Sequence, residues 1–160
     1  MRQFERLADN PDLMINNHYL HQLIIGGAKV KTQVNGEIRT ITLYPIDFKD
    51  VSNNNFLATN QYTIIQGNRN RRPDVTLFIN GLPLATFEFK NADNENIGIQ
   101  EAFSQLETYK AEIQNYMQYN EILVISDGIN ARAGLLTAGI DRFMRWRAQK
   151  MLKLIPLKLN

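Results

Sequence analysis

A chain of 160 residues with 44% apolar and 21% charged residues has the size and composition of one folded domain with a sizeable core, which excludes a wholly disordered protein. Cysteine is absent, so disulfides and thiolate metal sites are excluded. No apolar run is long enough to span a membrane and the N-terminus lacks the apolar core of a secretory leader, so the expected compartment is the cytoplasm. The net charge of +2 is unevenly spread: residues 142–160 hold six basic residues and no acid, while the other 141 residues carry a net of −4. Overall charge therefore gives no case for nucleic-acid binding, and any such case must come from local patches.

In chain order, Leu13, Met14, Tyr19, Leu20, Leu23, Ile24 and Ile25 predict an amphipathic helix over 11–25, ended by Gly26-Gly27. Two β-rich runs, 29–34 and 37–43, flank Asn35-Gly36 and predict a hairpin. Asp47 and Asp50 read as loop residues, Asn53-Asn54-Asn55 as a polar loop, and 58–66 as a further strand. A second hairpin runs from Pro73 to Ile79, through Asn80-Gly81, and back along Leu82 to Lys90. It is apolar on both faces, as a central strand pair covered on both sides requires. Ile99, Ala102, Phe103, Leu106, Tyr109 and Ile113 place a helix over 96–114. Residues 121–126 read as a buried strand ending in the turn residues Asp127-Gly128, and 131–137 as one more short strand. The order of helix, strands, helix and strand predicts an α/β or α+β sheet with helices packed on it. His18 and His21, three apart on the first helix, read as packing or surface residues.

The chemistry concentrates on Asp74, Glu88 and Lys90. Side chains alternate along a strand, so Thr86, Glu88 and Lys90 share one face and Phe87 and Phe89 the other. Two carboxylates beside a lysine in an otherwise apolar sheet are costly to bury unpaired, and a divalent cation such as Mg²⁺ would relieve that cost. Such an ion activates a water and offsets phosphodiester charge, with Lys90 stabilising the charge that develops. The idea carries a register condition. A two-residue Asn80-Gly81 loop with regular pairing beyond it places Asp74 opposite Phe87, on the wrong face. A three-residue loop, Ile79-Asn80-Gly81, with Gly81 as a left-handed bulge restores the parity and sets Asp74 opposite Thr86; this bulge is the expectation. The basic run Asn68-Arg69-Asn70-Arg71-Arg72 leads directly into Pro73-Asp74, and its Arg69, Arg71 and Arg72 suit a phosphate backbone. Gln105 and Tyr109, at i and i+4, share a helix face.

These residues match a known pattern. Pro73-Asp74, Glu88-Phe89-Lys90 and Gln105-x-x-x-Tyr109 together resemble the PD-(D/E)xK nucleases of the RecB-like branch. The stretch from Arg71 to Leu84, with Ile125-Ser126-Asp127-Gly128, Arg142-Phe143-Met144 and the N-terminal Asn16-to-Gln22 segment, is similar to the N-terminal domain of the restriction (R, or motor) subunit of type I restriction-modification enzymes. The likeness spans residues 3–146. Phe89 stands where that family often has Leu, and the likeness ends after Trp146. It implies a restriction-endonuclease-like core, a mixed sheet flanked by helices, over 1–146. Residues 147–160 would be a basic amphipathic tail or a truncated linker. It further implies Asp74, Glu88 and the Phe89 backbone carbonyl as metal ligands, Lys90 as catalytic, and Gln105 and Tyr109 as support for the site and the DNA. The implied cofactor is Mg²⁺, with Mn²⁺ as substitute. The implied substrate is double-stranded DNA, and the implied partners are the modification and specificity subunits. The chain has no G-x-x-x-x-G-K-[ST] motif, so ATP enters only through a motor domain outside it. Two other readings stand beside this one: a non-catalytic docking or DNA-binding module that keeps the nuclease fold, and a stand-alone RecB-like nuclease.

Overall fold

The computed structural model describes residues 11–90 and 95–146. The first helix, α1 (Leu13–Gly26), starts where Asp12 accepts hydrogen bonds from the amides of Met14 and Ile15, and stops at Gly27, whose φ of 74° a side chain would resist. Its buried stripe is Leu13, Asn16, Leu20, Leu23 and Ile24, so Met14, Tyr19 and Ile25 of the expected apolar set are exposed. Strands β1 (Ala28–Val34) and β2 (Glu37–Leu43) form the expected hairpin, with Asn35 and Gly36 both at positive φ. It is a separate two-stranded sheet.

The principal sheet has six strands in the order β10-β9-β8-β7-β6-β3. Its members are β3 (Phe56–Asn60), β6 (Val75–Ile79), β7 (Leu82–Phe89), β8 (Ile122–Ser126), β9 (Ala131–Gly134) and β10 (Met144–Arg145). The strand expected over 58–66 is instead two strands. β3 pairs with β6 as far as Val75; the chain then leaves the sheet at Gln61, in the left-handed region, and Ile64–Gln66 (β4) pairs with Arg69–Arg71 (β5) in a hairpin of its own. One further main-chain bond, from the Gln61 N–H to Asp74 O, is made before the left-handed φ of 51° at Gln61 turns the chain out of its extended path. The strand expected over 131–137 is likewise shorter, ending at Gly134, and β10 was not anticipated.

Between β7 and β8, which run parallel, the chain crosses over through α2 (Glu95–Glu112) and the short α3 (Gln114–Met117), as a parallel connection requires. Ile99, Leu106, Tyr109, Ile113 and Met117 pack on Leu123, Ile125, Leu136 and Phe143 and form the larger core. A second cluster joins α1 to Ile46 and to Leu84, near the turn of the β6–β7 hairpin. The Tyr116 hydroxyl lies 2.7 Å from both the Thr76 and Thr86 hydroxyls, which face each other across β6 and β7 and are fully buried. This satisfied polar pin fixes α3 on the hairpin that carries the site.

Candidate active site

Asp74 and Glu88 are brought together by a bulge, though not the one expected. The turn is a two-residue one: Ile79 pairs with Leu82, and Asn80 and Gly81 take φ of 51° and 82°. Asn80 also ties this turn to the preceding loop, donating to Pro45 O and Asn54 Oδ1 and accepting from Asn55 N. Phe78 then pairs with Pro83 but Leu77 with Ala85, so Leu84 is the extra residue. Beyond it Thr76 faces Thr86 and Val75 faces Phe87, and the same register carried one step sets Asp74 directly opposite Glu88. The three-residue loop and the Asp74–Thr86 pairing are therefore corrected. The parity they were meant to supply comes from Leu84, and both carboxylates stand on the face covered by α2.

The two acids occupy different environments. Glu88 is 3% exposed; its Oε1 accepts from Lys90 Nζ at 2.9 Å and its Oε2 from the Tyr109 hydroxyl at 3.1 Å. Burial pushes its carboxyl above the ordinary glutamate value, and the charge of Asp74 adds to the rise, while Lys90 and Tyr109 oppose it. Asp74 is half-buried. Its Oδ2 accepts from the Phe89 amide at 2.7 Å and its Oδ1 from Gln61 Nε2 at 3.0 Å. A strand residue turns its N–H and C=O to the same neighbour, so the Phe89 carbonyl also lies on Asp74's side. Asp74 and Lys90 open onto a cleft of about 390 Å³ that Asn60, Gln61, Val75 and Phe89 also line.

Tyr109 is buried at the level of Glu88, and burial, with the Glu88 charge second, raises its pKa far enough to keep the hydroxyl a donor. Gln105, one turn back on α2, lies near the same hydroxyl and opposes that rise. Of the three arginines, Arg69 and Arg71 both hold Glu112, which clamps the β4–β5 hairpin to the end of α2; Arg72 is exposed and its side chain has no partner among the described residues. His18 is exposed, and His21 Nδ1 sits 2.9 Å from Glu121, so neither approaches the site. Asp47 and Asp50 organise their loop, and Asp127 accepts from the Ile129 and Asn130 amides as a turn residue.

Two residues here were missed by sequence reasoning. Gln61 comes from the turn that follows β3, and no local pattern marks it. Glu112 did leave a signal: an acid in the last turn of a helix opposes the helix dipole, which suggests that it serves another purpose.

Among the described residues no three acidic or histidine side chains converge on one point. Two carboxylates and a backbone carbonyl are nonetheless a donor set of hard oxygens. This suits Mg²⁺, which is commonly held by one or two carboxylates with waters and substrate phosphate completing its shell, and does not suit a closed zinc site.

A mixed sheet with helices against it, carrying facing carboxylates and a lysine at the end of its central hairpin, is of the nuclease-like α/β kind. The comparisons make this particular. Residues 1–142 match the model of the family described as type I restriction enzyme R protein N terminus. The chain is 41% identical over 141 residues to the type I restriction enzyme HindI endonuclease subunit of Haemophilus influenzae, covering 88% of this chain and 13% of that protein. It is 38% identical over 141 residues to the putative MjaIXP endonuclease subunit of Methanocaldococcus jannaschii, covering 86% and 13%. It is 28% identical over 122 residues to the EcoprrI endonuclease subunit of Escherichia coli, covering 74% and 34%. The chain belongs to the family of type I restriction enzyme R protein N-terminal domains, and it spans about an eighth of the length of the first two relatives.

Proposed function

We propose that this chain is the metal-dependent endonuclease domain of a type I restriction R subunit, hydrolysing phosphodiester bonds of double-stranded DNA at Asp74, Glu88 and Lys90. The observation that carries the reading is the bulge at Leu84, which sets Asp74 opposite Glu88 on one face of the sheet with Lys90 already on Glu88. The bulge lies near the turn, at Leu84, and acts at the far end of the hairpin by shifting the register that Asp74 and Glu88 inherit. Asp74, Glu88 and the Phe89 carbonyl would hold Mg²⁺ or Mn²⁺. Bound there, such an ion supplies Lewis acidity, lowering the pKa of an attacking water and offsetting phosphate charge.

The chain's own residues do the rest. Tyr109 keeps one Glu88 oxygen engaged and the carboxylate aimed, with Gln105 beside it on α2. Lys90 is released from Glu88 as positive charge arrives at the carboxylates, and its ammonium then faces the developing negative charge on the phosphate. Arg72 meets the backbone of the DNA, with Arg69 and Arg71 available once they exchange Glu112 for phosphate. The modification and specificity subunits are the partners of the full-length R subunit, and ATP acts through its motor portion. Among the described residues no helix is long and apolar enough to cross a membrane.

The test is nicking of supercoiled plasmid by the purified chain in Mn²⁺. Glu88→Ala and Lys90→Met should abolish nicking while the melting transition stays cooperative. Nicking that persists in both variants would refute this site. No nicking by the wild type, together with no bound metal, would return the chain to a docking module.

A further inference from the structure

The sheet aligns a second set of groups with the carboxylates. Glu88 pairs with Ile125 on β8, Ile125 with Arg132 on β9, and Arg132 with Arg145 on β10. Paired residues share a face, so Asp74, Glu88, Ile125, Arg132 and Arg145 form one row across the sheet on the side of α2. At about 4.8 Å per strand, Arg132 stands roughly 10 Å from Glu88.

Arg132 is also unsatisfied. Its Nε is shut off from solvent and has no hydrogen-bond partner, although the residue as a whole is only half-buried. The Nε–H is therefore a buried donor without an acceptor, while the rest of the half-buried side chain stays within reach of a ligand. A buried donor left without an acceptor costs stability. Asp127, diagonal to it on the same face, keeps a buried and equally unpartnered Oδ2, yet the two do not pair. Asp127 is instead committed to the turn through its other oxygen. Arg145 is exposed and has no partner among the described residues.

We infer that Arg132 anchors a DNA phosphate beside the scissile one, with Arg145 extending the same track toward the sheet edge. This rests on the nuclease reading of Asp74 and Glu88, and it adds to Lys90 a second cation on the site's own face, one not bound to either carboxylate. The planar fork of arginine suits phosphate, and a half-buried stem pre-orients it at little entropic cost.

The test is binding of a short labelled duplex by the full chain without divalent metal, titrated over a range of salt. Arg132→Met keeps the aliphatic stem, and Arg132→Lys keeps the charge. The expected result is about tenfold weaker binding for Arg132→Met at moderate salt, and a log K against log salt slope shallower by about one. Arg132→Lys should recover the slope. Mn²⁺ binding measured in parallel separates the two claims. If the wild type and Arg132→Met bind Mn²⁺ alike but the duplex slope does not change, Arg132 contacts no phosphate and the inference fails alone. If the wild type binds no Mn²⁺, the nuclease reading fails whatever Arg132 does. A variant that loses affinity with an unchanged slope and a lowered melting temperature assigns Arg132 a structural role and overturns the inference.

Discussion

Tyr109→Phe removes one oxygen atom and isolates what that atom does. The Tyr109 hydroxyl donates to Glu88 Oε2 at 3.1 Å inside a region where both residues are at most 3% exposed. Water cannot replace the donor without repacking α2. A hydrogen bond to a charged group contributes about 1.5–3 kcal/mol, and a bond between neutral groups about half that. With Glu88 ionised, the substitution should therefore cost about 2 kcal/mol, a fall of roughly 4–8 °C in melting temperature for a domain of this size. The pH dependence follows from the sign of the Glu88 shift. Its folded pKa is raised by burial, and Tyr109 opposes that rise. Losing Tyr109's proton raises the pKa further, so the penalty is largest above the folded pKa and about halves below the unfolded value, where the carboxyl is neutral. Thermal melts of wild type and variant at pH 8 and pH 4, without metal, read both numbers. An equal penalty at the two pH values, or none at either, would refute the coupling.

Glu88→Gln should reverse the same linkage. A carboxyl whose folded pKa lies above its unfolded pKa makes the wild type lose stability as pH rises between the two. The variant, melted over that window, should lack this decline and gain on the wild type toward neutral pH. Gly134→Ala should lower the melting temperature, because a Cβ there would meet the Phe143 ring at 2.5 Å. Overpacking of this kind costs about 1–3 kcal/mol, and an unchanged melt would mean that Phe143 yields freely. Glu112→Ala should release Arg69 and Arg71 at a stability cost of about 1 kcal/mol and strengthen duplex binding at low salt. Weaker or unchanged binding in a titration would take those two arginines off the DNA path.

The sequence was most legible where local chemistry and fold agree. Asp12 and Gly27 bound α1, Asn35-Gly36 and Asn80-Gly81 supply the two tight turns, and the α2 stripe is correct at Ile99, Ala102, Leu106 and Tyr109. Face alternation along β7 was enough to group Glu88 with Lys90. The bulge was required by parity but assigned to the wrong residue, and the clue was Pro83: a proline inside a central strand calls for an irregularity beside it. The break at Gln61 and the two-residue β10 depend on which partner strand is available, information that no local window contains. The Arg132 row was invisible for the same reason, since it exists only once β7, β8 and β9 are set in register. Residues 147–160, read as a basic tail, lie outside the described residues.

The central claim is that Asp74 and Glu88 hold one divalent cation between them. Mn²⁺ binding, followed by calorimetry and located by anomalous diffraction, tests it on the wild type, Asp74→Ala and Glu88→Ala. The account predicts a metal between the two carboxylates in the wild type and none in either variant. Metal bound equally by all three, or absent from the wild type at millimolar concentration both alone and with a short duplex, would contradict it.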